Sequence, residues 1–396
     1  MTQAFNRRQW MLGAAALASP LSLALGATPI NTRPDDARFV FVLLRGGLDG
    51  LAAVPAIGDA DFAAARGPLA HFGAPPLPLD GTAFALHPAL TALHGLYRGG
   101  ELAVVHATGL AYRERSHFDA QQVLESGGSK PYELATGWLG RALAAHGRGT
   151  GLALTTAVPL VLRGSDRIDT WAPSALPDPS PDLLARLELL YANDAELAHA
   201  LARAQALREQ PGMSDSQGGG GGSGRAAAIA LSRKAGELLG ATQGPRVAVL
   251  EMSGWDTHAN QAAPGGALAI NLRTLDAALA ALREGMAVGA WSRSVVVVAT
   301  EFGREIAVNG TQGTDHGTGG AAFVLGGAVH GGRVLTDWPG LARAQRFEGR
   351  DLRVTTDLRG VLKGVLGEHM RVPHAVIEQN VFPGSAAVRP LELLRA

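Results

Sequence analysis

The sequence has no cysteine among its 396 residues. This absence excludes disulfides, a thiolate nucleophile, and zinc or iron–sulfur centres held by cysteine. Any metal ion in this protein must therefore be held by imidazole and carboxylate groups.

Charge is sparse as well as balanced. Charged residues make up 18% of the chain, and 35 basic residues offset 35 acidic ones, so the formal net charge is zero. This balance argues against a protein that binds nucleic acid or an anionic membrane surface. Hydrophobic residues make up 46% of the chain, which is enough for the core of one large α/β domain.

The N-terminus has the features of an export signal. The pair Arg7-Arg8 precedes an Ala/Leu-rich stretch that is interrupted by Pro20 and followed by Gly26-Ala27. That stretch is shorter than the ~20 apolar residues that span a membrane. The arginine pair resembles a twin-arginine signal, which the twin-arginine translocation machinery recognises. An uncleaved membrane anchor and a chance arginine pair are the alternatives.

These features predict the organisation of the chain. We expect a signal peptide at 1–27, a linker at 28–36, a periplasmic location and no stable membrane span after cleavage. Residues 37–396 are expected to form a single α/β domain. A helical insertion with a glycine-rich flexible loop is expected at about 165–224, and leucines at 183–201 predict a buried helical stripe. Beyond Gly327 we expect the sheet to end.

The stretch 246–327 predicts a βαβ unit. Two short apolar runs, at 247–250 and 295–299, flank a segment whose leucines recur at spacings of three and four, as on one face of a helix. Strands joined in this way are parallel. Polar residues that follow both strands should therefore emerge at one carboxyl edge of the sheet, where open α/β sheets place their ligand sites.

Ligand-type side chains follow these strands and the first predicted strand, at 39–44. They are Asp49, Asp256, His258, Glu301, Asp315 and His316. Imidazole and carboxylate groups without thiolates suit zinc, and also manganese or magnesium. We predict that they hold one or two divalent ions, with no organic cofactor. A hydrogen-bonded network that only fixes loops is the alternative.

A candidate nucleophile lies where a helix should begin. Ser116 follows a predicted strand at 102–105 and is flanked by Arg115 and His117. A helix N-terminus offers free N–H groups and a partial positive charge, which favour an anion there. The alternative role of Ser116 is an N-cap. Arg45, Arg115 and Arg304 could each clamp an oxyanion, or could form ordinary salt bridges.

Five motifs occur in order along the chain: LLRGGLDG, RSHFDAQ, GWDTH, EFGR and GTDHGTGG. Together with the twin-arginine leader they resemble the bacterial domain-of-unknown-function family 1501, over essentially the whole mature chain. That family looks like a remote relative of the alkaline phosphatase and sulfatase superfamily. The resemblance implies a three-layer αβα sandwich with a mostly parallel central sheet, and commonly two metal ions around a Ser, Thr or Cys-derived nucleophile.

The resemblance also implies roles for individual residues. Asp256 and His258 match a metal-binding pair, His316 matches a later lone histidine, and Ser116 matches the nucleophile. Glu301 can still act as a ligand, but Phe302 stands where the superfamily has an imidazole. Asp49 matches the first-strand aspartate, except that it comes four residues after Arg45, which directly follows the strand.

Two functions follow from this comparison. The first is a periplasmic, metal-dependent hydrolase of phosphate or sulfate esters, acting on a small-molecule or polymer-borne anionic substrate. Ser116 would attack, with Arg115, His117 and Arg45 as further catalytic groups. The second is a degenerate, non-catalytic member of the superfamily that serves as an exported binding or assembly protein. Phe302 and Arg45 favour the second function.

Overall fold

A central strand, β1 (Arg38–Leu44), is buried along its whole length. The computed structural model describes residues 37–147, 149–173, 179–208 and 224–395. The predicted signal, the linker and most of the glycine-rich loop lie outside these residues. Because every second side chain of a strand points to the same face, β1 can contribute to two cores at once.

The strands that follow β1 are β2 (Leu77–Pro78), β3 (Ala85–Leu86), β4 (Leu102–Gly109), β5 (Gly151–Ala153), β6 (Ile168–Thr170), β7 (Val247–Met252), β8 (Ser294–Thr300), β9 (Gly320–Leu325), β10 (Arg333–Leu335) and β11 (Thr356–Asp357). Within the described residues the main sheet has the order β10-β4-β9-β8-β1-β7-β5-β6, and β11 also pairs with β4. Strand β9 runs antiparallel to β4 and β8. The other pairs in this sheet are parallel.

The α-helices are α1 (Gly50–Ala53), α2 (Phe62–Arg66), α3 (Thr91–Arg98), α4 (His117–Ser126), α5 (Trp138–His146), α6 (Pro181–Tyr191), α7 (Ala195–Arg208), α8 (Arg225–Gly240), α9 (Ala267–Gly285), α10 (Val288–Trp291), α11 (Leu358–Gly364) and α12 (His374–Val376). Short 3-10 turns occur at Gly67–Ala70, Leu160–Leu162 and Arg343–Gln345. Single π-helical turns occur at Val365–His369 and Ile377–Val381.

Helices cover both faces of the sheet. Val40, Val42 and Leu44 of β1 belong to a core cluster shared with α3, α8 and α9. The alternate residues Phe39, Phe41 and Leu43 belong to a second cluster, shared with α4, α5 and α11. The result is helix, sheet and helix in three layers. This confirms the predicted α/β class with a mostly parallel central sheet.

The predicted βαβ unit is present as β7–α9–β8. Its strands do not pair with each other, since β1 lies between them and pairs with both in parallel. The leucines of α9 that recur at spacings of three and four are buried against the sheet; they are Leu268, Leu272, Leu275, Leu279 and Leu282. Truncation of such a leucine to alanine typically costs about 2–5 kcal/mol. The unit therefore brings the carboxyl ends of β1, β7 and β8 together at one edge.

Two expectations about the periphery are wrong. The sheet does not end at Gly327, because β10 and β11 both add to β4 in parallel. The leucine stripe of α6 and α7 is not buried: Leu190 is 71% exposed, and Leu183 and Leu197 are 46% and 45% exposed. Leucine periodicity predicted the helices, but the buried face also needs an element to pack on.

Within the described ranges, no helix is both long and apolar enough to cross a membrane.

Candidate metal centre

Glycines shape the carboxyl edge where β1 ends. Gly46 and Gly47 have φ angles of 122° and 75°, in the region that disfavours other residues. A Cβ at Gly46 would lie 2.5 Å from the backbone nitrogen of Asp256, and one at Gly47 would lie 2.8 Å from the Phe302 ring. The turn after β1 can therefore pack directly against the loops that follow β7 and β8.

Three imidazoles converge on one carboxylate oxygen at this edge. The Nε2 atoms of His117, His258 and His316 lie 3.4, 3.0 and 3.3 Å from Oδ1 of Asp256. The Nε2 atoms of His258 and His316 are 2.9 Å apart. Nitrogen and oxygen atoms held about 2.0–2.1 Å from one zinc ion at tetrahedral angles lie about 3.3 Å from each other. These four distances lie near that value, and ligand atoms of His117, Asp256 and His316 all lie within 4.8 Å of one another.

The other ring nitrogen of each histidine contacts a group that can only accept a hydrogen bond. Nδ1 of His117 lies 2.8 Å from Oε1 of Glu301, and Nδ1 of His258 lies 3.2 Å from Oδ1 of Asp315. Nδ1 of His316 lies 2.9 Å from the backbone carbonyl oxygen of Arg115. Each Nδ1 must therefore carry the proton, which leaves a lone pair on each Nε2 of a neutral ring.

This assignment makes the centre of the cluster a set of acceptors. Three Nε2 lone pairs and one carboxylate oxygen face each other, and such a set needs a cation or added protons to be stable. Nε2 of His117 is buried and has no hydrogen-bond partner among the described residues. Ligand histidines in metal sites usually donate the other ring N–H to a carboxylate or carbonyl. The residues present thus fit a zinc-type ion.

The pKa values reflect the same arrangement. The hydrogen bond to Glu301 raises the pKa of His117, because the carboxylate favours an added proton on the ring. Burial lowers the pKa of His316. Burial of Asp256 opposes its charge, but the contact with Arg304 outweighs this and lowers the pKa of the carboxyl group. Asp256 therefore presents an anion to the three rings.

Glu301 lies behind the cluster rather than in it. It is 1% exposed. Oε1 accepts hydrogen bonds from Gly46 N–H, His117 and Gln121, and Oε2 accepts one from the Thr300 hydroxyl. Burial alone would raise the pKa of Glu301, yet these donors lower it. We predicted Glu301 as a ligand; in the structure both of its oxygens accept hydrogen bonds, and it contacts Nδ1 of His117 on the side away from Asp256.

Asp315 plays a similar part for His258. Its Oδ1 contacts Nδ1 of His258 and accepts a hydrogen bond from Asn309 at 3.1 Å. The hydrogen bond from Asn309 is the main reason that the pKa of Asp315 is lowered. Asp315, also a predicted ligand, is therefore placed beside a ligand-type histidine and not among the converging atoms.

The structure does not bring Asp49 to the cluster. Its carboxylate is buried, caps α1 through Ala52 N–H, and accepts hydrogen bonds from Arg66 and Gln261. Arg66 is itself fully buried. These contacts occupy both oxygens, because Asp49 starts a helix under the sheet edge. The structure thus pairs Asp49, a predicted metal ligand, with Arg66 and does not place it among the converging atoms.

The three arginines predicted near the site are all committed to protein contacts. Arg45 bonds Glu251 through Nε and Nη2, and bonds Glu125 through Nη1. Arg304 donates to Asp256 and to the carbonyl oxygen of Thr314. Arg115 donates to Asp351 and Glu348. The side chain of Arg304 is fully buried, whereas that of Arg45 is 23% exposed.

The ring of Phe302 packs against the rings of His117 and His316. Its ring centroid lies 4.7 Å from that of His117 and 5.0 Å from that of His316, and the residue is 5% exposed. An apolar ring at this point offers no ligand atom for a second ion.

Ser116 directly precedes His117 in the chain. It occupies the N-cap position of α4, yet its side chain makes no capping hydrogen bond. Its hydroxyl contacts that of Tyr112, whose pKa is raised to about 12 by burial and by a hydrogen bond to Asp119. The N-cap alternative therefore does not account for the side chain of Ser116.

On the open side of the cluster, Asp256 and His258 have side chains that are 43% and 44% exposed.

Sequence reasoning missed two features of this centre. It treated His117 as a catalytic group, whereas its Nε2 faces the same oxygen as the other two imidazoles. It also gave no role to Gln121, which links Glu301 to Arg45. Both residues face the sheet edge one turn apart on α4, and that spacing was the available signal.

The family of the chain can be established from its sequence. The family model described as "Protein of unknown function (DUF1501)" matches residues 105–381. The chain belongs to this family. No curated protein matches it significantly.

Three solved structures of low sequence identity have a similar fold. The structure titled Ps i-CgsB in complex with k-i-k-neocarrahexaose has 11% identity and a TM-score of 0.43, covering 87% of this chain and 73% of its own. The PsFucS1 sulfatase from Pseudoalteromonas sp. has 13% identity and a TM-score of 0.37, covering 90% and 71%. The C-terminal periplasmic domain of EcEptC from Escherichia coli, in complex with Zn, has 12% identity and a TM-score of 0.37, covering 73% of each chain. These likenesses concern the fold alone.

Proposed function

We propose that this protein is an exported, metal-dependent hydrolase of phosphate or sulfate esters, with one divalent ion, zinc first, in each chain. The observation that carries the proposal is the convergence of three Nε2 atoms on Oδ1 of Asp256 while each Nδ1 faces an obligate acceptor. His117, His258, His316 and Asp256 would hold the ion. A bound ion of this kind polarises a phosphoryl or sulfuryl oxygen and lowers the pKa of a bound nucleophile.

The chain's own groups supply the rest of the chemistry. Ser116 presents a hydroxyl that is not used for capping, at the N-terminus of a ten-residue helix. The free N–H groups and the dipole of that helix stabilise negative charge at the same place. Buried Glu301 and Arg304 keep His117 and Asp256 in position, so little reorganisation accompanies binding of an anionic ester.

Export through the twin-arginine pathway to the periplasm is part of this proposal. It rests on Arg7-Arg8 and the apolar stretch that follows. Because that pathway carries folded proteins, the centre could be loaded with metal before export. The anionic ester could be a small molecule or part of a polymer, since the cluster is open to solvent on one side.

The arginines near the cluster favour a second function, that of a binding or assembly protein, because they are already bonded within the protein. Arg45 and Arg304 contact carboxylates or backbone and Phe302 replaces an imidazole, as expected of an exported binding or assembly protein without turnover. The proposed hydrolase would then be a metal-holding scaffold. Turnover decides between the two functions.

The test is hydrolysis of aryl phosphate and aryl sulfate esters by the full mature chain, with and without added zinc or manganese. The hydrolase predicts metal-dependent turnover that falls at least a hundredfold in Ser116→Ala and stays in Ser129→Ala, a serine on a loop away from the cluster. Equal rates in wild type and Ser116→Ala would contradict the assigned nucleophile. Metal binding without turnover of any ester, including sulfated and phosphorylated polymers, would favour the binding protein.

A further inference from the structure

His316 is held from two directions by one distant loop, residues 347–351. Arg350 donates a hydrogen bond of 2.8 Å to the backbone carbonyl oxygen of His316. The ring of His316 bonds the carbonyl oxygen of Arg115, and Arg115 is in turn held by the same loop. We call residues 347–351 the anchor loop.

The backbone of Arg115 is in an unusual conformation. Its φ angle is +58°, in the left-handed region, although it is not a glycine. A residue of this kind costs on the order of 1–3 kcal/mol and persists only where its surroundings fix it. Here the conformation precedes the N-cap Ser116 and directs the Arg115 carbonyl to Nδ1 of His316. That carbonyl sets the tautomer of the ring.

The side chain of Arg115 shows what fixes it. Its Nε donates to Oδ2 of Asp351 at 2.8 Å, and its Nη2 donates to Glu348 at 2.5 Å. The guanidinium also lies over the ring of Phe347, 5.8 Å from the centroid. The two carboxylates differ sharply, because the side chain of Asp351 is 0% exposed and that of Glu348 is 57% exposed. Asp351 is therefore the stronger anchor.

Burial of the Asp351 carboxylate costs folding free energy. Burial raises the pKa of its carboxyl group despite the contact with Arg115. Oδ1 has no hydrogen-bond partner within the described part of the chain, and Arg350 lies 3.5 Å from it. Burial of a charged carboxylate that has one oxygen without a hydrogen bond costs free energy, so this arrangement contributes little to the stability of the loop. Asp351 contacts the side chain of Arg115, and the carbonyl oxygen of Arg115 contacts the ring of His316. This chain of contacts suggests a role in the metal centre.

We propose that Asp351 is a positioning residue of the metal centre, which holds Arg115 in its left-handed conformation and so presets His316 for an ion. The inference rests on the proposed metal centre. It reassigns Arg115, which we predicted as a clamp for the transition state, to the support of a ligand. It also adds to the site a residue that lies 236 positions away from Arg115.

The test is calorimetric titration of the metal-free mature chain with zinc at pH 7.5. We compare wild type with Asp351→Asn and with Asp276→Asn. Asp276 is the control, because it is also buried and burial also raises its pKa, but its carboxylate accepts backbone hydrogen bonds at the start of α3, away from the site. Removal of groups that orient ligands typically costs 10–100-fold in metal affinity. We expect that loss in Asp351→Asn and a change of less than threefold in Asp276→Asn.

Arg115→Gly tests the same role of the anchor loop if Asp351→Asn does not fold. Glycine accepts a positive φ without strain and retains the carbonyl group, but it removes the anchored side chain. We expect at least tenfold weaker zinc binding in this variant. Wild-type affinity in every folded variant would overturn the role of Asp351 and leave the metal centre intact. A wild-type chain that binds no zinc would overturn the proposed centre, and this inference with it.

Discussion

Nδ1 of His117 lies 2.8 Å from Oε1 of Glu301, and this contact fixes which ring nitrogen faces Asp256. The carboxylate is buried and accepts hydrogen bonds from three other groups, so it remains charged and cannot turn away. The ring must donate from Nδ1, and its Nε2 is left as an acceptor. A change at Glu301 should therefore act through His117.

Glu301→Gln should weaken zinc binding by about 10–100-fold. The amide can donate to Nδ1 of His117, which would favour the tautomer with the proton on Nε2 and remove a ligand atom. Zinc titration of the folded variant measures the effect. Thr300→Val is the control, because it removes the donor to the other oxygen, Oε2, and the hydroxyl contacts to Leu44 and Leu48, but leaves the contact between Glu301 and His117. An unchanged dissociation constant in Glu301→Gln would contradict this role.

Asp49→Asn should destabilise the chain without changing its metal content. Removal of one partner from a buried ion pair typically costs about 3–5 kcal/mol, because the other charge is left unpaired. Here that partner is Arg66, which is 0% exposed. Urea unfolding gives the stability, and elemental analysis gives the metal. Loss of metal from a folded Asp49→Asn chain would instead support Asp49 as a ligand.

The double variant Asp49→Asn/Arg66→Met offers a control for this prediction. Both charges are then absent, so part of the lost free energy of unfolding should return. If the double variant were less stable than Asp49→Asn by the full cost of a second independent change, the two side chains would not be coupled.

Acid should destabilise the protein through three buried histidines. Burial lowers the pKa of His87, His106 and His369 to about 4. In the unfolded chain the pKa is about 6.5, so between these values the unfolded state binds more protons. The free energy of unfolding is therefore unaffected above pH 6.5 and falls as pH drops towards 4. Three protons correspond to a slope of up to about 4 kcal/mol per pH unit near pH 5.

His369→Gln should reduce this slope by about a third. The glutamine amide can replace the ring as a donor to the carbonyl oxygen of Arg38, and it does not titrate. Urea unfolding of metal-free protein at several pH values between 4 and 7 measures the slope. The same slope in wild type and variant would show that His369 does not titrate differently in the two states.

The fold could be predicted from the sequence because its main signals are local. The leucines of α9 and the apolar runs of β1, β7 and β8 each lie within one element, and chain order makes the strands parallel. From this the common edge of Asp256 and Glu301 follows. The additions of β10 and β11 to β4 could not be predicted, since three residues and two residues carry no periodicity.

The site could be predicted in composition but not in arrangement. The sequence predicts that His258, His316, Asp256 and Glu301 lie at one edge, yet only side-chain geometry separates a converging atom from one that supports it. Carboxylates suit both roles, which is why Glu301 and Asp315 were predicted as ligands. The contact between Arg115 and Asp351 joins segments 236 positions apart, so no local pattern indicates it.

Metal content tests the central claim most directly. The mature chain is purified after growth with zinc and manganese, and the metal per chain is measured by elemental analysis for wild type and for His117→Ala, His258→Ala and His316→Ala. His374→Ala is the control, since its side chain is 65% exposed and lies in α12, away from the cluster. We expect about one ion per chain in wild type and in His374→Ala, and less than a tenth of that in the other three. A folded wild type with no stoichiometric metal, or equal metal in all five proteins, would contradict the account.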